Sequence, residues 1–349
     1  MSARLTISLA ALQENYARLA AAAPGGVAAV VKADAYGLGA VQVLPALQRA
    51  GCEEFFVATI AEGVALRAAS ATAIIYVLNG LGADDVDACL HHRLVPVLNS
   101  PAQCERWLPT AQPCAVHVDT GMQRLGLTAA EFAQLDRGLR CELIVSHLAR
   151  ADEPEHGANA EQVARLLAAH DLQRFPDARL CMSNSAGTLT KTMPNDQLSR
   201  AGIGLYGGNP YVDRLNPMVP VVQVEARVLR VREVPPATPI GYGGTAEFSA
   251  PTTVAVVGAG YADGIPWRLS NGGRAYFAGQ EGCVVGRVSM DSVHVHFRSV
   301  VPVEGDWVEL LGPNVGLDDM ARIAGTIGYE ILTRLSTRSE RRYVEQLLT

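Results

Sequence analysis

The sequence predicts an α/β protein: an N-terminal (β/α)8 TIM-like barrel followed by a mostly-β C-terminal domain. Three observations predict it. Short apolar, β-branched runs alternate with amphipathic or Ala-rich stretches over the first 206 residues, and there are eight such runs. The chain's 349 residues exceed one ordinary core. Beyond residue 222, helical periodicity gives way to alternating apolar and polar residues broken by Gly, Pro and Asn-Gly. Continuous apolar strands need helices on their outer face, and eight of them match a closed parallel barrel, with an open doubly wound sheet as the alternative.

The elements follow in order. Leu9, Leu12, Tyr16 and Leu19 recur at helical spacing behind Ser8, whose hydroxyl suits an N-cap, and Pro24-Gly25-Gly26 ends the pattern, so a helix over about 9–22 is expected. The eight strand candidates are VAAVVK (27–32), FFVATI (55–60), IIYVL (74–78), LVPVL (94–98), AVHVD (115–119), LIVSH (143–147), RLCMS (179–183) and GIGLY (202–206). The β domain begins near residue 223, which divides the chain into 1–222 and 223–349. Within the second part, DDMARIAGTIGYEILTRLS (318–336) reads as a short helix, a loop and one further strand or helical turn.

Composition bounds the function. Hydrophobic residues make up 49% and charged residues 18%, with no apolar run long enough to span a bilayer, so a soluble globular protein is expected, with no membrane partner. The net charge of −6 and the lack of any Lys/Arg block argue against nucleic acid and leave small molecules as partners. Seven scattered cysteines without a CxxC pair suggest neither zinc nor a redox dithiol, and they read as buried thiols in a reducing cytoplasm. The N-terminal stretch holds an acid and several polar residues, which suits a helix better than a signal peptide.

In a barrel, chemistry gathers where strands end, and Lys32, Asp119, His147 and Ser183 all stand at such ends. A lysine there is ordinarily a solvated head on an apolar stem. Its neighbours change that reading. Tyr36 lies four residues on, and Gly37 and Gly39 allow a tight turn or the close approach of a ligand. A lysine in a partly dry pocket has a lowered pKa and can form a Schiff base with an aldehyde, chemistry that fits pyridoxal 5'-phosphate. Such a pocket needs a phosphate site and a partner for the ring nitrogen. SNSAG (183–187) and AGIGLYG (201–207) are small turns in the last two barrel units, where barrels commonly bind phosphate, and Arg200 stands beside the second.

AVVKADAYGLG, HVDTGMQRLG, SHLARADE, NSAG, RAGIGLYG, IGYGGT, GYADG and VSMDS together resemble alanine racemase, a family of fold-type III pyridoxal-phosphate enzymes, in the family's order from Lys32 to Tyr329. The resemblance implies that Lys32 binds the cofactor covalently and is one of two opposed bases. Tyr242 is the other, donated by the second subunit of a homodimer with shared active sites. Tyr36, Ser185, the backbone of Gly202 and Ile203, and Tyr329 hold the phosphate. His147 packs on the pyridine ring and hydrogen-bonds Arg200, which faces the ring nitrogen. Arg124 touches the cofactor's phenolic oxygen and the substrate carboxylate, Met290 and Asp291 reach the substrate across the interface, and Tyr261 lines the entrance.

The physics of these roles is coherent. Inverting an α-carbon needs a base on each face of a planar carbanion. A tyrosine of ordinary pKa about 10 must be brought down to serve, and Arg200 linked through His147 would supply the positive charge. Arginine does not give up its proton, so the ring nitrogen stays unprotonated, the cofactor is a weaker electron sink, and transamination is disfavoured. One position departs from the family. Many alanine racemases carry a lysine, often carbamylated, seven residues before the substrate-binding arginine, and here that place is His117.

The implied activity is interconversion of L- and D-alanine, for peptidoglycan precursor supply or D-alanine catabolism. A broad-specificity racemase accepting serine, a fold-type III decarboxylase with no need of Tyr242 as second base, and a non-catalytic cofactor carrier are the alternatives. GAGYADG (258–264) has GxGxxxG spacing without a following helix, so no dinucleotide site is expected. His294 and His296 share one strand face without a third ligand nearby, so no metal is expected.

Overall fold

The structure, a computed structural model, describes residues 2–348. Met1 and Thr349, the outer ends of the two expected domains, lie outside the described residues. The chain opens with strand β1 (Ala3–Ser8) and the helix Leu9–Ala22. Ser8 caps that helix, its Oγ accepting from Ala11 N at 3.0 Å.

Eight parallel strands follow: β2 (Gly26–Val30), β3 (Glu54–Val57), β4 (Ile74–Val77), β5 (Val95–Leu98), β6 (Cys114–His117), β7 (Cys141–Val145), β8 (Arg179–Cys181) and β9 (Leu198–Ala201). They pair in the order β8-β7-β6-β5-β4-β3-β2-β9. Phe55, Phe56, Ile75, Val77, Val97, Leu98, Ala115, Val116, Leu143 and Ile144 are fully buried, as strands covered on both faces require. Near the strands' N-terminal ends, Arg179 donates to both carboxylate oxygens of Glu54 at 2.8 and 2.7 Å, and Tyr76 Oη donates to Glu54 at 2.9 Å. This network ties β3 and β4 to β8.

The two ends of that sheet, β8 and β9, meet through a mixed seam. Gln197 N donates to Leu180 O at 3.0 Å and Arg200 N to Ser183 O at 2.8 Å. Leu180 N donates to the Gln197 side chain at 2.8 Å, and the buried Asp196 carboxylate accepts from Met182 N, Ser183 N and Ser199 Oγ at 2.9, 3.0 and 3.1 Å. The eighth barrel strand is therefore Leu198–Ala201, not GIGLY, which forms a short 3-10 turn at Ile203–Tyr206. LSRA does not read as an apolar run because it holds two buried polar side chains, Ser199 and Arg200.

The second sheet comprises β1, β10 (Val222–Val234), β11 (Thr252–Val257), β12 (Arg274–Phe277), β13 (Gln280–Val285), β14 (Val293–His296), β15 (Trp307–Leu311) and β16 (Glu340–Val344). The order β11-β14-β13-β12-β15-β10, with β10 also pairing β11, closes six strands into a ring. β1 runs antiparallel to β10 and parallel to β16. The helices Leu317–Ala324 and Gly328–Thr333 precede β16.

The chain forms two compact units. One holds the segment ending at Leu12 together with Tyr206–Gly208 and Val219 onward; the other holds Gln13–Leu205 and Asn209–Met218. The expected division after residue 222 thus differs at the N-terminus. β1 is fastened to the C-terminal sheet by its ladder, by Arg4 donating to Glu225 at 2.6 and 2.9 Å, and by the Arg4 and Arg227 guanidiniums at 4.1 and 4.5 Å from the Trp307 ring.

All seven cysteines are free; five are buried, Cys141 is half-buried, and Cys283 is exposed, contrary to the expectation of uniformly buried thiols. Its strand alternates, and the sequence did not fix which face it presents. No helix among the described residues is long and apolar enough to cross a membrane.

Asp196→Ala strands two backbone N–H groups and a hydroxyl at the seam, so it should destabilise the barrel unit by about 2–4 kcal/mol. Urea unfolding followed by far-UV circular dichroism measures this.

Candidate active site

Lys32 stands just beyond β2, where the backbone does something L-residues avoid. Ala33, Asp34, Ala35 and Tyr36 all adopt left-handed conformations, with φ of 52°, 54°, 53° and 56°. Each costs about 1–2 kcal/mol, so the turn must be held from outside. Ala35 N donates to Val31 O and Gly39 N to Asp34 O, both at 2.8 Å, and Ala40 N donates to Asp34 Oδ1 at 2.7 Å. Ala33 N donates to Glu62 Oε1 at 2.8 Å. Burial pushes the Lys32 ammonium below its ordinary pKa, and the guanidiniums of Arg124 and Arg200 push the same way, against Glu62.

Arg200 lies on β9 and is only 5% exposed. Its Nη1 donates to Cys181 O and Sγ at 2.9 and 3.0 Å, and its Nη2 to Ser146 O at 2.6 Å and His147 Nδ1 at 3.0 Å. A guanidinium carries five N–H donors. Four are committed here, which leaves Nε–H without a protein partner among the described residues. Because arginine can only donate, His147 Nδ1 accepts, and its proton sits on Nε2. Burial, then Arg200, Arg124 and Lys32, hold His147 well below its usual pKa, so it is neutral at pH 7.

His117 closes β6. Asn99 Nδ2 donates to Leu78 O and Val97 O at 2.9 and 2.8 Å, which turns Asn99 Oδ1 toward His117 Nδ1 at 2.8 Å. The imidazole therefore donates from Nδ1 and presents a bare Nε2. Burial and Arg200 bring its pKa down to about 4. In the loop after β6, Asp119 Oδ1 accepts from Gly121 N, Met122 N and Gln123 N at 2.9, 2.9 and 3.2 Å, shaping the segment that carries the exposed Arg124.

The turn at the end of β9 forms a cradle. Ser185 Oγ accepts from Gly202 N and Gly204 N at 3.0 and 3.2 Å, so its own proton is free to donate outward. A Cβ on Gly202 would stand 2.5 Å from Tyr36 Oη, so only glycine lets the phenol and this backbone meet. Ile203 is buried and opens the 3-10 turn. A hydroxyl, a phenol and glycine main chain in one place fit a phosphoryl group. With a lysine whose ammonium is disfavoured and an uncommitted Arg200 donor in the same unit, these residues fit pyridoxal phosphate.

The other predicted residues belong to the C-terminal unit. Tyr242 begins a short turn, Tyr242–Gly244, and is 70% exposed. Tyr261 and Met290 are exposed, and their loops are locked: Tyr261 N donates to Ser289 O at 3.1 Å and Ala262 N to Met290 O at 3.0 Å. Asp263 Oδ2 accepts from Gly260 N at 2.9 Å, and Arg338 bridges from 3.6 Å off Asp263 to 2.8 Å from Asp291. This is the GAGYADG segment; no helix of a dinucleotide site follows it. Tyr329, in the helix Gly328–Thr333, is exposed. Among the described residues, no group of three or more His, Cys, Asp or Glu could hold a metal.

Residues 7–210 match the model of the alanine racemase N-terminal domain, and 221–343 that of the C-terminal domain. The chain belongs to the alanine racemase family. It is 45% identical to a catabolic alanine racemase of Agrobacterium fabrum, over 99% of this chain and 92% of that one. An alanine racemase of Rhodospirillum rubrum is 43% identical, over 98% of this chain and 96% of its own. The crystal structure of alanine racemase from Bartonella henselae with covalently bound pyridoxal phosphate superposes with a TM-score of 0.92 at 36% identity, covering 99% of this chain and all of that one. Membership in this family speaks against the decarboxylase and carrier alternatives.

Four residues that order this family member's site were not singled out from sequence: Glu62, Asn99, Cys181 and Arg338. Only Glu62 had a local signal, the Thr59-x-x-Glu62 capping pattern, and that pattern reports a helix start rather than a site.

Between pH about 6.5 and about 4 the unfolded chain binds a proton at His117 that the folded chain refuses, so acid favours unfolding and the stability is fully present above that window. From pH 7 to 5 this group alone should remove about 2 kcal/mol. Urea unfolding of wild type and His117→Gln at both pH values should show the variant losing less by about that amount.

Proposed function

We propose that this chain interconverts L-alanine and D-alanine with pyridoxal 5'-phosphate, as a cytoplasmic homodimer in which each copy completes the other's site. The observation that carries the reading is the company Lys32 keeps: a buried amine, two guanidiniums that disfavour its protonation, and a glycine and hydroxyl cradle in the same barrel unit.

Lys32 holds the cofactor covalently, and Tyr36, Ser185, Gly202, Ile203 and Tyr329 hold its phosphate. Bound there, pyridoxal phosphate withdraws electrons from the substrate's α-carbon and so acidifies the α-proton. Arg200, with Nε–H uncommitted, would face the ring nitrogen and keep its proton, which would limit electron withdrawal and disfavour transamination. His147, neutral and fixed by Arg200, would pack against the ring.

The proton then has two holders. Lys32 Nζ, disposed to be neutral, takes or returns it on one face of the α-carbon, and Tyr242 from the second copy serves the other. The exposure of Tyr242, Tyr261 and Met290 on a single chain suits residues that another copy covers. Arg124 binds the substrate carboxylate on the loop that Asp119 shapes, while Met290 and Asp291 close over the substrate and Tyr261 lines its way in. Seven unpaired cysteines accord with a reducing compartment.

The decisive assay supplies L-alanine and pyridoxal phosphate in heavy water, following optical rotation and the α-proton signal together. Loss of both without carbon dioxide or pyruvate is expected; serine in place of alanine measures the breadth of the site. Tyr242→Phe should slow both directions by about 10²–10⁴ with the cofactor still bound. Full activity in that variant would defeat the two-base assignment.

A further inference from the structure

The peptide bond joining Lys32 to Ala33 is held by a side chain from elsewhere in the chain. Its N–H donates to Glu62 Oε1 at 2.8 Å. The other oxygen of the same carboxylate, Oε2, accepts from Ala58 N at 2.7 Å and Thr59 N at 3.2 Å, beyond the end of β3. One half-buried carboxylate thus binds three backbone donors on two neighbouring strand exits.

A capping box explains only part of this. The helix Ile60–Ala69 starts with Thr59, whose Oγ1 accepts from Glu62 N at 3.3 Å while Glu62 returns a bond to Thr59 N. That exchange uses Oε2. Nothing in the helix start calls for Oε1 to reach a residue 29 positions earlier, at the first residue of a strained left-handed turn.

We propose that Glu62 is a positioning residue for Lys32: it fastens the Lys32–Ala33 peptide plane to the exit of β3 and so fixes the direction in which the lysine side chain leaves the barrel wall. On the other side of the lysine, Val31 N donates to Phe56 O at 2.8 Å, again on β3. Lys32 is therefore clamped from both flanks to one strand, by a ladder bond before it and a carboxylate after it. The carboxylate also opposes the two guanidiniums that disfavour the ammonium. The inference rests on the reading that Lys32 binds the cofactor covalently.

Two full-length variants test it first. Glu62→Gln keeps the size but sets an NH2 group against backbone donors on one side or the other. Thr59→Ala removes the helix cap and leaves the bond to Ala33. Pyridoxal phosphate is titrated into each apoprotein, reading the visible band of the lysine-bound cofactor for the dissociation constant, and thermal unfolding of the apoprotein reads stability.

Glu62→Gln should weaken cofactor binding about tenfold or more, while Thr59→Ala lowers the melting temperature with the dissociation constant within about twofold of wild type. Equal cofactor affinity in Glu62→Gln and wild type, or equal losses in Glu62→Gln and Thr59→Ala, would overturn the proposal. If circular dichroism shows Glu62→Gln unfolded, Glu62→Asp decides. It keeps the charge but is one methylene too short to span both strand exits, so it too should lose affinity, and unchanged affinity refutes the role. Lys32→Ala tests the underlying reading separately: a persistent lysine-type band there would remove that reading, and the positioning role with it.

Discussion

The site depends on keeping a permanent cation buried without a counter-charge. Arg200 is enclosed in the barrel, and its partners are two backbone carbonyls, a thiol and a neutral imidazole, not a carboxylate. Dipoles solvate the guanidinium but do not cancel its field. Burial is the main push of Lys32, His147 and His117 toward their neutral forms, and that field adds to it at all three. A carboxylate against Arg200 would satisfy the guanidinium equally well and forfeit this effect. The arrangement disfavours the ammonium of Lys32 and keeps both imidazoles neutral near neutral pH.

Geometry at the lysine has a similar logic. Four successive left-handed residues are an expensive way to leave a strand, and they persist because bonds from Val31, Asp34 and Glu62 over-determine them. The same turn brings the Tyr36 hydroxyl against Gly202, in contact only because that residue lacks a Cβ. Lys32 and the Tyr36–Gly202 contact thus lie at two ends of one short turn. In the C-terminal unit, the loops bearing Tyr261 and Met290 are likewise fixed to each other by backbone bonds and by the Arg338 bridge from Asp263 to Asp291.

Much of this was legible in the sequence. Seven of the eight barrel strands announced themselves as apolar runs because a parallel sheet buried on both faces leaves no alternation to read. The eighth was hidden by Ser199 and Arg200, polar residues that face a functional interior rather than a core. β1 was missed because a terminal strand paired across more than two hundred residues has no local signature. Lys32, Tyr36, Arg200 and the glycine turns draw attention in the sequence because their residue types are costly or special where they stand. Glu62, Asn99 and Cys181 were not, since each acts through a bond to a distant backbone or side chain and looks ordinary in its own segment.

The sequence by itself determined the class of fold, the alternation that makes a barrel, and which residue types are available for the chemistry, because periodicity and residue chemistry are local properties. Only the tertiary structure decided the protonation states and directions of those groups. The imidazole tautomers of His117 and His147, the single uncommitted donor of Arg200 and the left-handed exit that aims Lys32 all follow from contacts between segments far apart in the chain. Electrostatic fields and hydrogen-bond geometry depend on distance in space, and sequence order does not specify it.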